Sequence, residues 1–563
     1  MSTISLYTLP IELIHHIISN LDIQTTLSSF RNVCKRFYTI VNGYNNYVVD
    51  LSSISKIDFH YIFRMIPIEN IISLTLSDGD MTPGQINLFM SLFNINQFVR
   101  LRSLTLIQIE KFDFNRFIQQ MNTNSLNSLS TNIRKTDSIT RNIEIIPFLS
   151  NHALVNLRKL DISMWSYDIN NIIWPHQCTI QYLTIGHYVT FKQICKILSQ
   201  LLNLRTLIIR NCILDVTDEP KMILSHIEKN TNLTSLTVKD SHLQMNQLEL
   251  LLPLTPSLIN LQLIGTVSSS DTILDGSRWE HFIQTKLPLL QSFVFFLRSK
   301  TEKNLNSTNI ESLINNFRTM FWLKEKSWFV TCNYIDKTRT LRLYTIPICD
   351  TYLTYESNSD KIVSTTSNDT ENETVIMNNV HEIEINLTQT MKTIKTQQIT
   401  TRTRRLFCHL TALTLIIDEE WPFESNEFLL NLIDLSHLTT LELSVDFTHS
   451  SISDTIDNIG YLLKQTNNVH TLILSSHDST TSIIERICSI IPHYVRHLDL
   501  FDINLDDIKI LLERLKHLFS VSFTFSIEMP FSPTEIIEWL SKIRNFTYLD
   551  DKRSLSLWLG QIH

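Results

Sequence analysis

Adjacent histidines at His15 and His16, an acidic run Asp418-Glu419-Glu420, a basic trio Arg402, Arg404 and Arg405, and eight cysteines are the residues of this chain whose types could support chemistry. Paired imidazoles can bind a metal or sense pH. Neighbours on a helix diverge by about 100°, however, and no Cys or carboxylate stands beside both, so surface histidines are the simpler reading. Cys34, Cys178, Cys195, Cys212, Cys332, Cys349, Cys408 and Cys488 lie far apart, mostly in apolar surroundings, as reduced core thiols do. The acidic run follows an apolar strand pattern and reads as a solvated turn, while three arginines are too few for nuclear import or nucleic acid. No H-E-x-x-H, C-x-x-C or G-x-S-x-G motif occurs, and the 8 glycines are isolated, so no phosphate-cradling loop can be written from them. Nucleophile, base and oxyanion donors cannot be assembled, which predicts a non-catalytic chain with no cofactor and no metal.

Binding is the remaining class of function, and composition narrows the partner. With Lys+Arg 48 against Asp+Glu 56 and a formal charge of −8, there is no broad basic face for a phosphate backbone, so nucleic acid is not expected. A hydrophobic content of 43% with 18% charged residues describes a folded chain. The opening MSTISLYTLPIEL lacks a cationic leader, and nowhere do about eighteen uncharged apolar residues run together. The expectation is a soluble protein without membrane contact, located in cytoplasm or nucleus. The sequons at Asn306, Asn368, Asn372 and Asn386 are then coincidental in an Asn- and Thr-rich chain.

The elements that must position a binding surface are visible as a recurring L-x-x-L-x-L signature. It appears as LRSLTL from Leu101, LRKLDI from Leu157, IQYLTI from Ile180, LRTLII from Leu204, LTSLTV from Leu233 and LINLQL from Leu258. After a gap it returns as LTALTL from Leu410, LTTLEL from Leu438, VHTLIL from Val469 and VRHLDL from Val495. Residues two apart on a strand share a face, so the last two apolar positions of each unit point into a core and the residue between them faces out. Leu160, Leu183, Leu207, Leu236 and Leu261 recur at intervals of 23, 24, 29 and 25 residues, and Leu413, Leu441, Leu472, Leu498 and Val521 at 28, 31, 26 and 23. Helical stripes lie between them, as in FKQICKILSQLL. The pattern predicts an α/β fold: an irregular leucine-rich repeat solenoid, a horseshoe with a parallel sheet lining its inner wall. Cys212 sits where such repeats carry the Asn or Cys that bonds the turn backbone, with Ser241 and Thr266 at the analogous sites. Thr105, Asp161, Thr184, Ile208, Thr237, Gln262, Thr414, Glu442, Ile473 and Asp499 would pave the concave wall. Their polar and β-branched character suits a protein or peptide substrate, although such residues are also simply good sheet formers.

Between residues 324 and 405 the array is interrupted. SWFVTCNYI and TLRLYTIPI predict a β-hairpin around the turn DKT, followed by a polar, mobile loop over 356–379 and a further strand, HEIEINL. The organisation reads as 1–50 helical, 51–323 first repeats, 324–405 inserted hairpin and loop, 406–545 second repeats, and 546–563 a C-terminal cap, with Trp539 and Trp558 covering the end of the core.

The first fifty residues hold the other candidate surface. Pro10 can open a helix without losing a needed N–H, and Leu13, Ile14, Ile17, Ile18 and Leu21 follow at helical spacing. Leu27, Phe30, Val33, Phe37 and Ile40 make the stripe of a second helix. Leu9-Pro10, Glu12-Leu13, Leu21-Asp22 and Val33-Cys34-Lys35 with Phe37 together resemble the F-box, the motif that joins substrate receptors to cullin-based SCF ubiquitin ligases. That resemblance implies that Leu9, Pro10, Glu12, Leu13, Ile17, Ile18 and Leu21 meet a Skp-type adaptor, with Val33 and Phe37 knitting the helices together. It further implies a non-catalytic substrate receptor linked through the adaptor to the cullin core. The alternative is a leucine-rich scaffold outside ubiquitination, with the helices only a cap.

Overall fold

Alternation of apolar and polar residues does most of the building, and it does so in two units. The computed structural model describes residues 6–121, 125–134, 156–163, 174, 178–186, 189–213, 229–302, 304–355, 361–367, 377–397, 405–445, 452–476, 481–501, 503–525, 533–551 and 554–562. The fold is mixed α/β, with a helical segment ahead of large sheets. One unit comprises residues 1–186, 519–522 and 532–563, the other 187–518 and 523–531.

The first unit begins with helices α1 (Ile11–Ser19), α2 (Ile23–Ser28) and α3 (Lys35–Gly43). Strands β1 (Tyr47–Asp50), β2 (Ile71–Ser77), β3 (Ser103–Ile109), β4 (Ser128–Ile133), β5 (Lys159–Ser163) and β6 (Tyr182–Gly186) then pair in parallel in chain order. Val49, Leu74, Leu104, Leu129, Leu160 and Leu183 stand in register across them, each at most 1% exposed. Burying such a side chain is worth about 1.5–3 kcal/mol, so each interval of the repeat pattern is fixed by one of the larger single gains available to a residue. Helices α4 (Lys56–Met65), α5 (Gln85–Leu92) and α6 (Lys111–Gln119) cover the core face. Phe89 of α5 meets the rings of Phe63, Phe93, Phe98 and Phe117 at 5.3–6.0 Å between centroids.

The segment expected to cap the core forms an antiparallel hairpin, Arg544–Asp551 with Ser554–Ile562. Trp558 is fully buried, its ring edge-on to Phe59 of α4 at 5.6 Å, and its Nε1–H donates to the Ile54 carbonyl at 3.0 Å. Lys56 Nζ donates to Asn545 Oδ1 at 3.1 Å and Thr547 Oγ1 to the Pro83 carbonyl at 2.8 Å. Trp539 is half-buried.

In the second unit, strands Thr206–Arg210, Ser235–His242, Asn260–Thr266 and Ser292–Lys300 pair in parallel, with Leu207, Leu236, Leu261 and Phe293 in register. The expected hairpin forms as Val330–Ile335 with Thr340–Thr345, and it continues the sheet: Thr340–Thr345 runs antiparallel to Ser292–Lys300. Its Val330, Cys332, Tyr334, Leu341 and Leu343 are at most 2% exposed, because the alternating pattern supplies a full apolar face. Within the segment read as a mobile loop, Lys361–Thr365 instead forms a strand on the far side of the hairpin. Backbone pairing with Val330–Ile335 makes up for its low apolar content. A second parallel sheet follows, in the order Tyr352–Thr354, Glu382–Asn386, Ala412–Ile417, Thr440–Val445, Thr471–Ser476 and His497–Phe501.

At the turn flagged by Cys212 the bonding group is a neighbour. The Cys212 amide donates to Ser241 Oγ at 2.8 Å, and the same hydroxyl donates to the Lys239 carbonyl at 2.7 Å. Gly265 lies beside this turn, where a Cβ would stand 2.1 Å from the Ser241 carbonyl oxygen, so only glycine fits.

Candidate docking site

Three short helices and their outward side chains make the N-terminal site. Pro10 precedes α1, and Asp22 caps α2 by accepting the Thr25 amide at 2.7 Å. Partial burial works to raise the Asp22 carboxyl, but its hydrogen bonds from Thr25 hold it below the usual carboxylate range. The second predicted helix is broken. Ser29 ends α2, Phe30–Asn32 form a single 3-10 turn, and Cys34 in extended backbone starts α3. Phe30 still stacks on Phe37 at 4.5 Å, so the stripe survives the break. Arg36 Nη2 donates to the Leu9 carbonyl at 2.6 Å and its guanidinium lies 5.6 Å from the Tyr7 ring, tying α3 to the chain ahead of α1. Arg31 is buried, donating to Asn42 Oδ1 at 3.0 Å and covering Tyr38 at 4.5 Å.

Of the residues expected at a partner, Pro10, Glu12 and Leu13 are exposed, and Leu9, Ile17 and Leu21 are half-buried. Ile18 is the exception. At 4% exposure it belongs to the core of the module with Ile14, because that side of α1 is the one covered by its own chain. Val33, expected inside, is 66% exposed, since it falls in the break before α3 and off the buried Phe37, Ile40 and Val41 side. The pattern missed Leu6, Tyr7, Ile11, Tyr38 and Val48, large apolar side chains of this small module that are exposed, as Leu13 is. His15 turns its ring edge to Tyr44 at 5.2 Å, as a packing histidine does.

The ten residues expected to pave a concave wall all lie on strands, at matching rungs. Thr105, Asp161 and Thr184 share a rung with Ser130 in the first unit. Ile208, Thr237 and Gln262 form one in the second, and Thr414, Glu442, Ile473 and Asp499 another. Thr184 and Thr237 are buried and the other eight half-buried. Thr414 Oγ1 donates to Glu442 Oε2 at 3.0 Å, and Gln262 Nε2 to the Cys349 carbonyl at 3.2 Å.

Among the described residues no nucleophile, base and oxyanion donors come together as a reaction centre. None of the eight thiols is joined in a disulfide, and burial pushes Cys195, Cys212 and Cys332 up to about 12, which keeps them protonated. Among the described residues no group of three His, Cys, Asp or Glu could hold a metal ion, and no helix is long and apolar enough to cross a membrane. Asp418 and Glu419 pair with Asn386 and Lys392 in an exposed turn. Arg402 and Arg404, and the sequons at Asn368 and Asn372, fall outside the described residues.

One buried carboxyl bears on stability. Asp78 is 1% exposed, its Oδ1 accepts the Ile86 amide at 2.8 Å, and Oδ2 has no hydrogen-bond partner among the described residues. Burial raises its pKa to about 7 against the opposing pull of that amide and of Arg134. Between the ordinary carboxylate range and about 7 the folded state therefore holds a proton that the unfolded state has lost. Stability must fall as pH rises through that window, and the whole penalty is present above it. Asp78→Asn keeps an oxygen for Ile86 and removes the charge. It is expected to raise stability at pH 8 by about 1–3 kcal/mol and to lose that advantage towards pH 4, as read from urea unfolding at a series of pH values.

The chain carries a small helical module that turns apolar side chains outward, as a docking surface does. Its module has a known family: residues 6–48 match the F-box domain. F-box domains bind the Skp-type adaptor and hence the cullin core, and the proteins that carry them are typically non-catalytic adaptors of SCF-type ubiquitin ligases. No curated protein matches this chain.

Proposed function

We propose that this chain is a substrate receptor of an SCF-type ubiquitin ligase, acting inside the cell, in cytoplasm or nucleus. Leu9, Pro10, Glu12, Leu13, Ile17 and Leu21 dock on the Skp-type adaptor, joined by Ile11 and Tyr7, and a leucine-rich repeat array beyond residue 50 holds a protein substrate. The observation that carries the reading is the F-box match over residues 6–48, together with the exposed apolar residues of that segment. In-register leucines on parallel strands support the repeat array. Such a receptor needs no nucleophile. It raises the effective concentration of substrate lysines at the ubiquitin-charged enzyme, and proximity supplies the acceleration.

The test is reconstitution. The full chain should co-elute with the Skp-type adaptor and, with the cullin core added, promote ubiquitin transfer to proteins that it co-purifies from cells. A chain that stays apart from the adaptor at micromolar concentrations overturns the assignment.

A further inference from the structure

We infer that the outer edge of the strand Lys361–Thr365 takes an extended segment of a protein substrate as one further strand, paired through the backbone and carrying a β-branched or aromatic side chain beside Val363. This deepens the substrate-receptor reading and rests on it. In the second unit Lys361–Thr365 is the last strand of its sheet, antiparallel to Val330–Ile335 on one side and followed by no strand on the other. The Thr366 amide donates to the Val330 carbonyl at 2.9 Å, and the ladder alternates from there. Ser364 and Ile362 bond inward to Cys332 and Tyr334, while Val363 and Thr365 turn their N–H and C=O groups to the open side. Among the described residues nothing hydrogen-bonds the Val363 amide or carbonyl, and the residue is 56% exposed.

The counterpart edge is closed. Tyr352–Thr354 begins the other sheet of this unit, and its outward carbonyls at Tyr352 and Thr354 accept from Arg298 Nη2 at 3.5 Å and Arg342 Nη1 at 3.3 Å. Side chains there blunt the edge against stray pairing, as natural sheets commonly do. On Lys361–Thr365, Arg318 Nη2 covers the final carbonyl, that of Thr365, at 3.2 Å and leaves Val363 open. The strand is still held from within. Thr331 Oγ1 donates to Thr365 Oγ1 at 3.0 Å, and Ser364 Oγ to Glu311 Oε2 at 2.5 Å. An incoming chain therefore meets donors and acceptors already in line, and little ordering entropy is lost on this side of the contact.

The open groups choose the occupant. Val363 can exchange two bonds with the residue opposite it, and the Thr365 amide supplies a third, an array that an extended chain satisfies and a helix, whose backbone bonds are spent internally, does not. The Val363 side chain then asks for an apolar neighbour on the same face, where β-branched and aromatic residues pair best. A second copy of this chain fits less well. Two-fold pairing about Val363 would rest on 5 residues from each copy, whereas specific interfaces use about 20–30 residues a side. It would also set Lys361 against the Thr365 end of the other copy, where Arg318 already holds the carbonyl and brings a like charge. An unfolded stretch of a substrate meets neither obstacle.

The experiment measures fluorescence anisotropy of a short labelled peptide of alternating Val and Thr with the full chain. The same peptide N-methylated through its centre, which removes donors on both of its edges, should bind at least about tenfold more weakly. Val363→Pro removes an N–H that the ladder to Val330–Ile335 does not use, so it should leave the urea midpoint in place and weaken the peptide at least about fivefold. Val363→Ala keeps both backbone groups and should lose less than about threefold. Residue-resolved hydrogen exchange gives a reading without any substitution: the Val363 amide should exchange fast in the free chain, unlike those of Ile362 and Ser364, and slow when the peptide is added. Equal binding of the N-methylated peptide, indifference to Val363→Pro, or a Val363 amide already slow in the free chain overturns the inference. A concentration-dependent dimer that Val363→Pro disperses overturns it in favour of a second copy. Co-elution with the Skp-type adaptor is read on the same samples: peptide failure with adaptor capture intact sinks this inference alone, whereas failed capture by the parent chain sinks the receptor assignment.

Discussion

Trp558→Ala is expected to lower the unfolding free energy by about 3–5 kcal/mol, the range for removing a large aromatic from a packed interior. The indole is fully buried against Phe59, and its N–H satisfies the Ile54 carbonyl. Deleting the ring leaves both a cavity and a carbonyl without its donor, and an unmet buried polar group alone costs about 1–3 kcal/mol. Trp558→Phe separates the two contributions: it restores most of the packing but not the bond, so its loss should be about 1–2 kcal/mol. Urea midpoints of the three proteins decide the matter. A Trp558→Ala midpoint equal to that of the parent would mean that the hairpin does not hold α4.

The second large effect concerns the adaptor. Ile11→Asp combined with Leu13→Asp should weaken its binding to the full chain by more than about a hundredfold in titration calorimetry, because a hot-spot anchor costs about 2 kcal/mol or more when lost and each carboxylate put in its place would have to be desolvated. The two side chains are 46% and 49% exposed, so the melting temperature should hardly move. Ile18→Ala makes the complementary control. Being 4% exposed, Ile18 should cost stability by about 2–5 kcal/mol and affect capture only through unfolding. An unchanged affinity in the double aspartate variant would place the adaptor surface elsewhere.

Period-two patterning was enough to foresee the strands. Leu160, Leu183, Leu413, Leu441, Leu472 and Leu498 stand at their expected rungs because a one-residue slip would expose an entire apolar face. Which side of α1 faces inward was not legible. Leu13, Ile14, Ile17 and Ile18 are all apolar, and the choice is made by the packing of the chain around α3, a tertiary event with no local signature. The same holds for Val33, whose exposure follows from the break at Ser29 and Cys34, residues with no strong stop signal. Lys361–Thr365 escaped notice because an edge strand gains order from backbone pairing and needs little apolar content. Which residues of a strand share a face could be read by parity, but the alternation of Glu384, Thr414, Glu442, Ile473 and Asp499 emerges only when strand neighbours are known.

The bond from Trp558 to Ile54 joins residues 504 positions apart, and those from Asn545 and Thr547 to Lys56 and Pro83 are almost as distant in sequence. Helix α4 therefore leaves the ribosome long before the residues that complete its packing exist. Contacts so far apart in the chain form late, and synthesis proceeds at about 5–20 residues per second. For tens of seconds a nascent chain carries α4 with Phe59 uncovered, a surface that chaperones recognise. A polypeptide that lacks this hairpin would keep that defect permanently, so the late-made hairpin decides whether the early helix is ever covered.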